Sequence, residues 1–144
     1  MATLTMERHF AASPAKVFEF ITKSGNLLQW WGPEGTEIRD HNLDFSRLGP
    51  WNATMIGPQG HGATVGGEVI AIDPPNYVEL TLSFAMDDGQ RGPESVIRFE
   101  CKNNDGATQF ILTQTGLDPA HIEDMRTKGW NAAFVRLENL ITTN

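Results

Sequence analysis

The sequence predicts an α+β fold: a curved antiparallel sheet of about six or seven strands wrapped around one long C-terminal helix, with two short helices after the first strand. Three observations lead there. Val78, Leu80, Leu82, Phe84 and Met86 alternate with Glu79, Thr81, Ser83 and Ala85, the pattern of a strand with one buried face. Ile122, Met125, Trp130, Ala133, Phe134, Leu137, Leu140 and Ile141 fall close to the i, i+3, i+4, i+7 spacing of an amphipathic helix. Short turn sequences such as Asn103-Asn104-Asp105-Gly106 separate the strand-like segments, and short turns make antiparallel neighbours. Each strand then shows one apolar face, and only the last helix is long enough to cover it.

Taken in order, residues 3–10 (TLTMERHF) alternate well enough for a first strand, with Leu4, Met6 and either His9 or Phe10 inward. Ser13-Pro14 reads as an N-cap and first helical position, followed by Val17, Phe18 and Ile21 on one face. Ser24-Gly25-Asn26 breaks that helix, and Leu27–Trp31 make a second short helical turn closed by Gly32-Pro33. A weakly patterned strand is expected over 36–46, a second through Trp51, Ala53 and Met55, and a third over 63–72, ending at Asp73-Pro74-Pro75. After the strand at 78–86, Ile97, Phe99 and Cys101 alternate with Arg98, Glu100 and Lys102. In the next strand, Phe110, Leu112 and Gln114 face one way, which puts a polar amide on an apolar face. Asp118-Pro119 opens the final helix, again as cap and proline. Gly129 interrupts its apolar stripe at a cost of roughly 1 kcal/mol relative to Ala, which predicts a close approach of the helix to something beneath it.

The chain of 144 residues is expected to form one domain over 1–144. With 11 basic against 18 acidic residues the formal charge is −7, which disfavours nucleic acid and anionic lipid surfaces. A lone cysteine, Cys101, excludes an internal disulfide and fits a reducing compartment; on an apolar face it reads as an inert buried thiol. The N-terminus lacks the apolar run of a signal peptide, and no stretch reaches membrane-spanning length, so a cytoplasmic protein without membrane insertion is expected.

The catalytic inventory is thin. GPQGHGATVGG (57–67) has glycines but lacks the Gly-Lys-Ser/Thr ending of a phosphate loop, and a hairpin turn explains it better, with His61 exposed at its tip. His9, His41, His61 and His121 are scattered, so neither a metal site nor any cofactor is expected. Asp87-Asp88-Gly89 and Glu123-Asp124 read as solvated acids, and Arg98 with Glu100 as a solvated pair on the outer face. No catalytic residue is assigned.

Trp30 and Trp31 pose a different question. Helical neighbours point about 100° apart, so one core cannot easily take both rings, and a second apolar place is needed.

QWWGPEG, LGPWNATMIGPQG, DPPNYVELT, ATQFILTQTGL and KGWNAAFVRLENL, in this order and spacing, resemble the bacterial single-domain relatives of the activator of heat-shock chaperone ATPase. These belong to the START-like (SRPBCC) superfamily with the helix-grip fold. The resemblance spans nearly the whole chain, although no one of its motifs is diagnostic. Gly49-Pro50 departs from the two glycines usual there, and Gln114 stands where many relatives have His, which removes a histidine-dependent proton transfer at that position.

The resemblance implies a deep apolar cavity between sheet and long helix, and that cavity is the second place the tryptophan pair requires. It makes Trp30, Trp31, Trp51, Met55, Phe84, Met86, Phe99, Phe110, Trp130 and Phe134 candidate lining residues for a flat or lipid-like ligand, against the plainer reading that each is core. Gln114 either orients that ligand or is a satisfied buried amide. Three functions are therefore carried forward. The first is binding of a small hydrophobic or aromatic molecule in the cavity. The second is a cyclase- or aromatase-like enzyme, which needs an ionisable group deep in it. The third is a chaperone-partner module by analogy, although the eukaryotic relative carries a further chaperone-engaging domain for which this chain has no room. Homodimerisation is left open.

Overall fold

Ser13 starts the first helix as its sequence demands: its side chain accepts a hydrogen bond from Lys16 N at 3.3 Å, satisfying one of the unpaired amides of the first turn. In this computed structural model, which describes residues 2–32, 35–57, 60, 62–85 and 92–143, strand β1 (Ala2–Phe10) leads into α1 (Pro14–Thr22) and α2 (Ser24–Trp30). Six strands follow: β2 (Glu37–Asn42), β3 (Gly49–Ile56), β4 (Gly62–Asp73), β5 (Tyr77–Phe84), β6 (Ser95–Asn104) and β7 (Ala107–Leu117). All pairings are antiparallel, in the order β1-β7-β6-β5-β4-β3-β2. A helical rod closes the chain. It consists of a 3₁₀ turn at Pro119–His121, α3 (Ile122–Asp124), a π-helical stretch at Met125–Trp130 and α4 (Asn131–Thr143).

The alternation seen in the sequence becomes the two faces of the sheet. Val78, Leu80 and Leu82 of β5, Ile97, Phe99 and Cys101 of β6, and Phe110, Leu112 and Gln114 of β7 are buried on the concave side. In β1, Phe10 rather than His9 is inward. Asp105-Gly106 forms the two-residue β6–β7 turn with φ of 53° and 87°, left-handed values suited to this hairpin turn. Gly67 has a steric reason to be glycine: a Cβ there would lie 2.1 Å from the Thr81 carbonyl oxygen across β4 and β5.

Several expectations need correction. The break between the first two helices is Lys23 alone, extended at ψ 135°, and Ser24-Gly25-Asn26 already belongs to α2. The strand expected over 36–46 stops at Asn42, and Leu43 and Phe45 are fully buried from a loop, where strand periodicity has no meaning. The last helix is one rod but not one uniform α-helix. Gly129 makes no close approach, for nothing lies within 4 Å of where its Cβ would stand. Arg98 and Glu100 are outward but only half solvated: the Arg98 guanidinium lies 3.9 Å over the Tyr77 ring and pairs with Glu79 at 3.1 Å and Glu100 at 3.3 Å. Met86, His61 and Asp87-Asp88-Gly89 lie outside the described residues.

The space between sheet and rod is filled unevenly. Toward β1 and β7 the rings pack closely around Phe110, which sits 5.5 Å from Phe10, 5.5 Å from Phe99 and 5.2 Å from Phe134, ring centroid to centroid, with a smaller hollow of about 370 Å³ at the β1 edge against the rod. Toward β3 and β4 it opens.

Candidate functional site

The open end is built around the end of α2. Trp30 is its last helical residue, and Trp31 turns to extended backbone (φ −66°, ψ 139°), so one core takes both rings after all, edge-on to each other at 5.9 Å, with Trp31 on the pocket side. Trp30 enters the core and donates from Nε1 to the Phe20 carbonyl at 2.8 Å. Trp31 stands between core and pocket, edge-on to Phe45 (5.3 Å), Trp130 (5.6 Å) and Trp51 (5.8 Å). Arg136 of α4 donates to the carbonyls of Trp30 and Gly32, tying this helix end to the rod as a cation near carbonyl groups should.

Beyond Trp31 lies a pocket of about 630 Å³. Trp31, Met55 of β3, Leu82 and Phe84 of β5, and Met125 and Trp130 of the rod supply its bulky walls. Gly129 faces it with bare backbone, and Gly57, Gly62 and Ala63 leave room on the sheet side. Two local features therefore make the hollow: a π-helical stretch, a geometry frequent at functional sites, and a run of small residues at the β3–β4 end. Phe84, inward by register, is 46 % exposed.

Gln114 has no part in the pocket surface. It is buried at the centre of a side-chain relay in which Trp130 Nε1 donates to its Oε1 at 2.9 Å and its Nε2 donates to Ser95 Oγ at 2.9 Å. Ser95 Oγ reaches the Leu82 carbonyl at 3.4 Å. The relay joins two residues of the pocket wall, Trp130 and Leu82, through the sheet. Gln114 is thus a satisfied buried amide that holds Trp130.

Of the residues expected to line a cavity, Trp31, Met55, Phe84 and Trp130 meet at the pocket. Trp30, Trp51, Phe99, Phe110 and Phe134 are core, and Trp51 Nε1 is occupied by the Thr81 carbonyl at 3.0 Å. Met125 and Leu82 were missed. Met125 lies one helical turn before Gly129 and Leu82 one alternation before Phe84, which are the sequence signals that find them.

The ionisable groups at the pocket, among the described residues, are His121, Asp124 and Lys128 on the rod. They are largely solvated, with His121 paired to Asp118 at 4.0 Å and Lys128 to Asp124 at 3.7 Å. No group of three or more metal-ligating side chains converges among the described residues. Burial pushes the Cys101 thiol up to about 12, which keeps it protonated and unreactive near neutral pH. No helix among the described residues is long and apolar enough to cross a membrane.

A seven-stranded antiparallel sheet gripping a C-terminal helical rod, with an apolar pocket left at one end, defines a START-like helix-grip domain. The chain belongs to the family described as Activator of Hsp90 ATPase homolog 1-like protein, whose model matches residues 11–142. The crystal structure of the AHSA1 protein from Silicibacter pomeroyi superposes with a TM-score of 0.91 at 35 % identity, over 99 % of each chain. Protein CV1439 from Chromobacterium violaceum (TM-score 0.83, 17 % identity, 97 % of each chain) shares the fold. So does a protein from Arthrobacter aurescens (0.82, 18 % identity, 99 % of this chain and 87 % of that one). No curated protein matches the chain by sequence. Fold and family support a ligand-binding or chaperone-partner-like module in general.

Proposed function

We propose that the protein binds a small hydrophobic or aromatic molecule in the pocket between β3, β5 and the π-helical part of the rod. One observation carries the reading. A hollow of about 630 Å³, large enough for a ligand of several rings, is walled by Trp31, Trp130, Met55 and Phe84, whereas the rings around Phe110 pack against one another. The buried protonated thiol and the acidic surface favour a cytoplasmic setting for this binding. An acid–base enzyme would need an ionisable group held away from water, whereas the ones at the pocket among the described residues, His121, Asp124 and Lys128, are solvated on the rod. The family name connects the fold with chaperones, which keeps a chaperone-partner module as the second reading.

Titration with N-phenyl-1-naphthylamine tests the proposal. Saturable enhancement of its fluorescence on excitation of the tryptophans is expected, and Gly129→Phe, which puts a ring into the open space, should abolish it while the protein stays folded. A folded wild-type protein that gives no saturable signal contradicts the reading.

A further inference from the structure

Three of the four indole donors are used inside the protein: Trp30 Nε1 by Phe20 O, Trp51 Nε1 by Thr81 O and Trp130 Nε1 by Gln114 Oε1. Trp31 differs. Among the described residues nothing accepts from its Nε1, although the side chain is only 5 % exposed. Buried donors are nearly always paired, because a sealed, unpaired N–H loses its water without compensation. No side-chain nitrogen or oxygen among the described residues is sealed and unpaired in that way. The Trp31 N–H is therefore not shut in, and the open space its side chain borders is the pocket.

The ring that carries this donor is already oriented. Phe45, Trp51 and Trp130 meet it edge-on at 5.3–5.8 Å, and the Arg136 contacts to Trp30 O and Gly32 O hold the backbone on either side. A donor fixed in advance loses little freedom when it meets a partner. An indole N–H donates only, so its partner must be an acceptor. The surrounding wall is apolar and the chain carries a net charge of −7, and both favour a neutral oxygen over a carboxylate at this donor.

Building on the pocket reading above, we propose that Trp31 Nε1 is the polar anchor of the pocket and selects a flat apolar ligand bearing a neutral acceptor oxygen, such as a ring ketone. The anchor fixes the orientation of the ligand, and the aromatic walls supply most of the affinity.

9-Fluorenone and fluorene share one ring frame and differ by the carbonyl oxygen, and calorimetric titration of both tests the assignment. The fluorenone-to-fluorene affinity ratio should fall roughly fivefold from wild type to Trp31→Phe, which keeps an aromatic ring without the N–H. In the wild-type complex the fluorenone carbonyl stretch should stay at its hydrogen-bonded frequency, and in Trp31→Phe it should move to the frequency seen in dry hydrocarbon. A hydrocarbon-like stretch in the wild-type complex overturns the proposal even if the variant fails to fold. Equal ratios in the two proteins, with both probes binding, overturn the anchor and leave the pocket reading standing. Absence of binding by either probe removes the pocket reading and the anchor with it.

Discussion

The two ends of the space beneath the sheet are made from similar side chains and end up in different states. At the β1–β7 end, Phe10, Phe99 and Phe134 all pack against Phe110, and the hollow left there, about 370 Å³ between the β1 edge and the rod, is smaller and bordered by Thr5, Glu7, Arg8, Arg126 and Asn131. At the β3–β4 end, Trp31, Trp130, Met55 and Phe84 surround a hollow. Aromatic content therefore does not decide between core and pocket; what faces the rings does. At the closed end the facing residues are other large rings. At the open end they are Gly57, Gly62, Ala63 and the bare backbone of Gly129, set in a π-helical stretch. Small residues opposite large ones are what keep the wall apart.

The sharpest way to break this contrast is to truncate one ring at each end. Phe110→Ala should cost about 3–5 kcal/mol in denaturant unfolding, since it removes a buried ring from a site that cannot collapse. Phe84→Ala, on a half-exposed ring at the pocket, should cost less than about 1 kcal/mol. Equal costs would mean that the two ends are packed alike. Gln114→Leu is expected next in size: it leaves Trp130 Nε1 and Ser95 Oγ short of a partner and should lower stability by about 1–3 kcal/mol. The emission of Trp130 should shift in that variant, because its ring loses the group that holds it.

Gly129→Ala reverses the sign. With nothing within 4 Å of the new methyl and ordinary helix propensity restored, the unfolding free energy should rise by about 0.5–1 kcal/mol while affinity for N-phenyl-1-naphthylamine falls. A loss of stability instead would show that the glycine answers a backbone need and not a need for space. The last effect is a pH dependence that is nil near neutrality and develops only in alkali. Burial raises the Cys101 pKa from 9.0 to about 12 in the folded protein, so the folded state holds this proton longer than the unfolded chain. Its contribution to stability is complete below about pH 9 and is lost progressively as pH rises toward 12. Cys101→Ala should therefore unfold less steeply across that alkaline range than wild type.

Much of the fold was legible because its signals are local. The β5 alternation, the Asp105-Gly106 turn, the Ser13-Pro14 and Asp118-Pro119 caps and the stripe of the last helix each lie within one unbroken stretch of chain. The site was legible in part. The pair Trp30-Trp31 suggested two apolar places, but one core holds both, and that Trp31 is the ring at the pocket follows from the backbone leaving the helix there. Gln114 was visible as a polar residue on an apolar face. Its partners are 16 and 19 residues away in the chain, so whether it served a ligand or the core could not be read from spacing. Leu43 and Phe45 carry no period, since they are buried from a loop. Gly129 was read as a close contact when it is the reverse, because a missing side chain has the same sequence signature in both cases.

The indole N–H region of a ¹H–¹⁵N spectrum, followed during titration with fluorene, tests the division of the molecule most directly, since the four tryptophans report separately. The Trp31 and Trp130 signals should move saturably at the pocket, while Trp30 and Trp51, held in the core by Phe20 O and Thr81 O, should stay in place. Uniform movement of all four, or movement of none at saturating probe, would contradict an apolar pocket confined to the β3–β4 end.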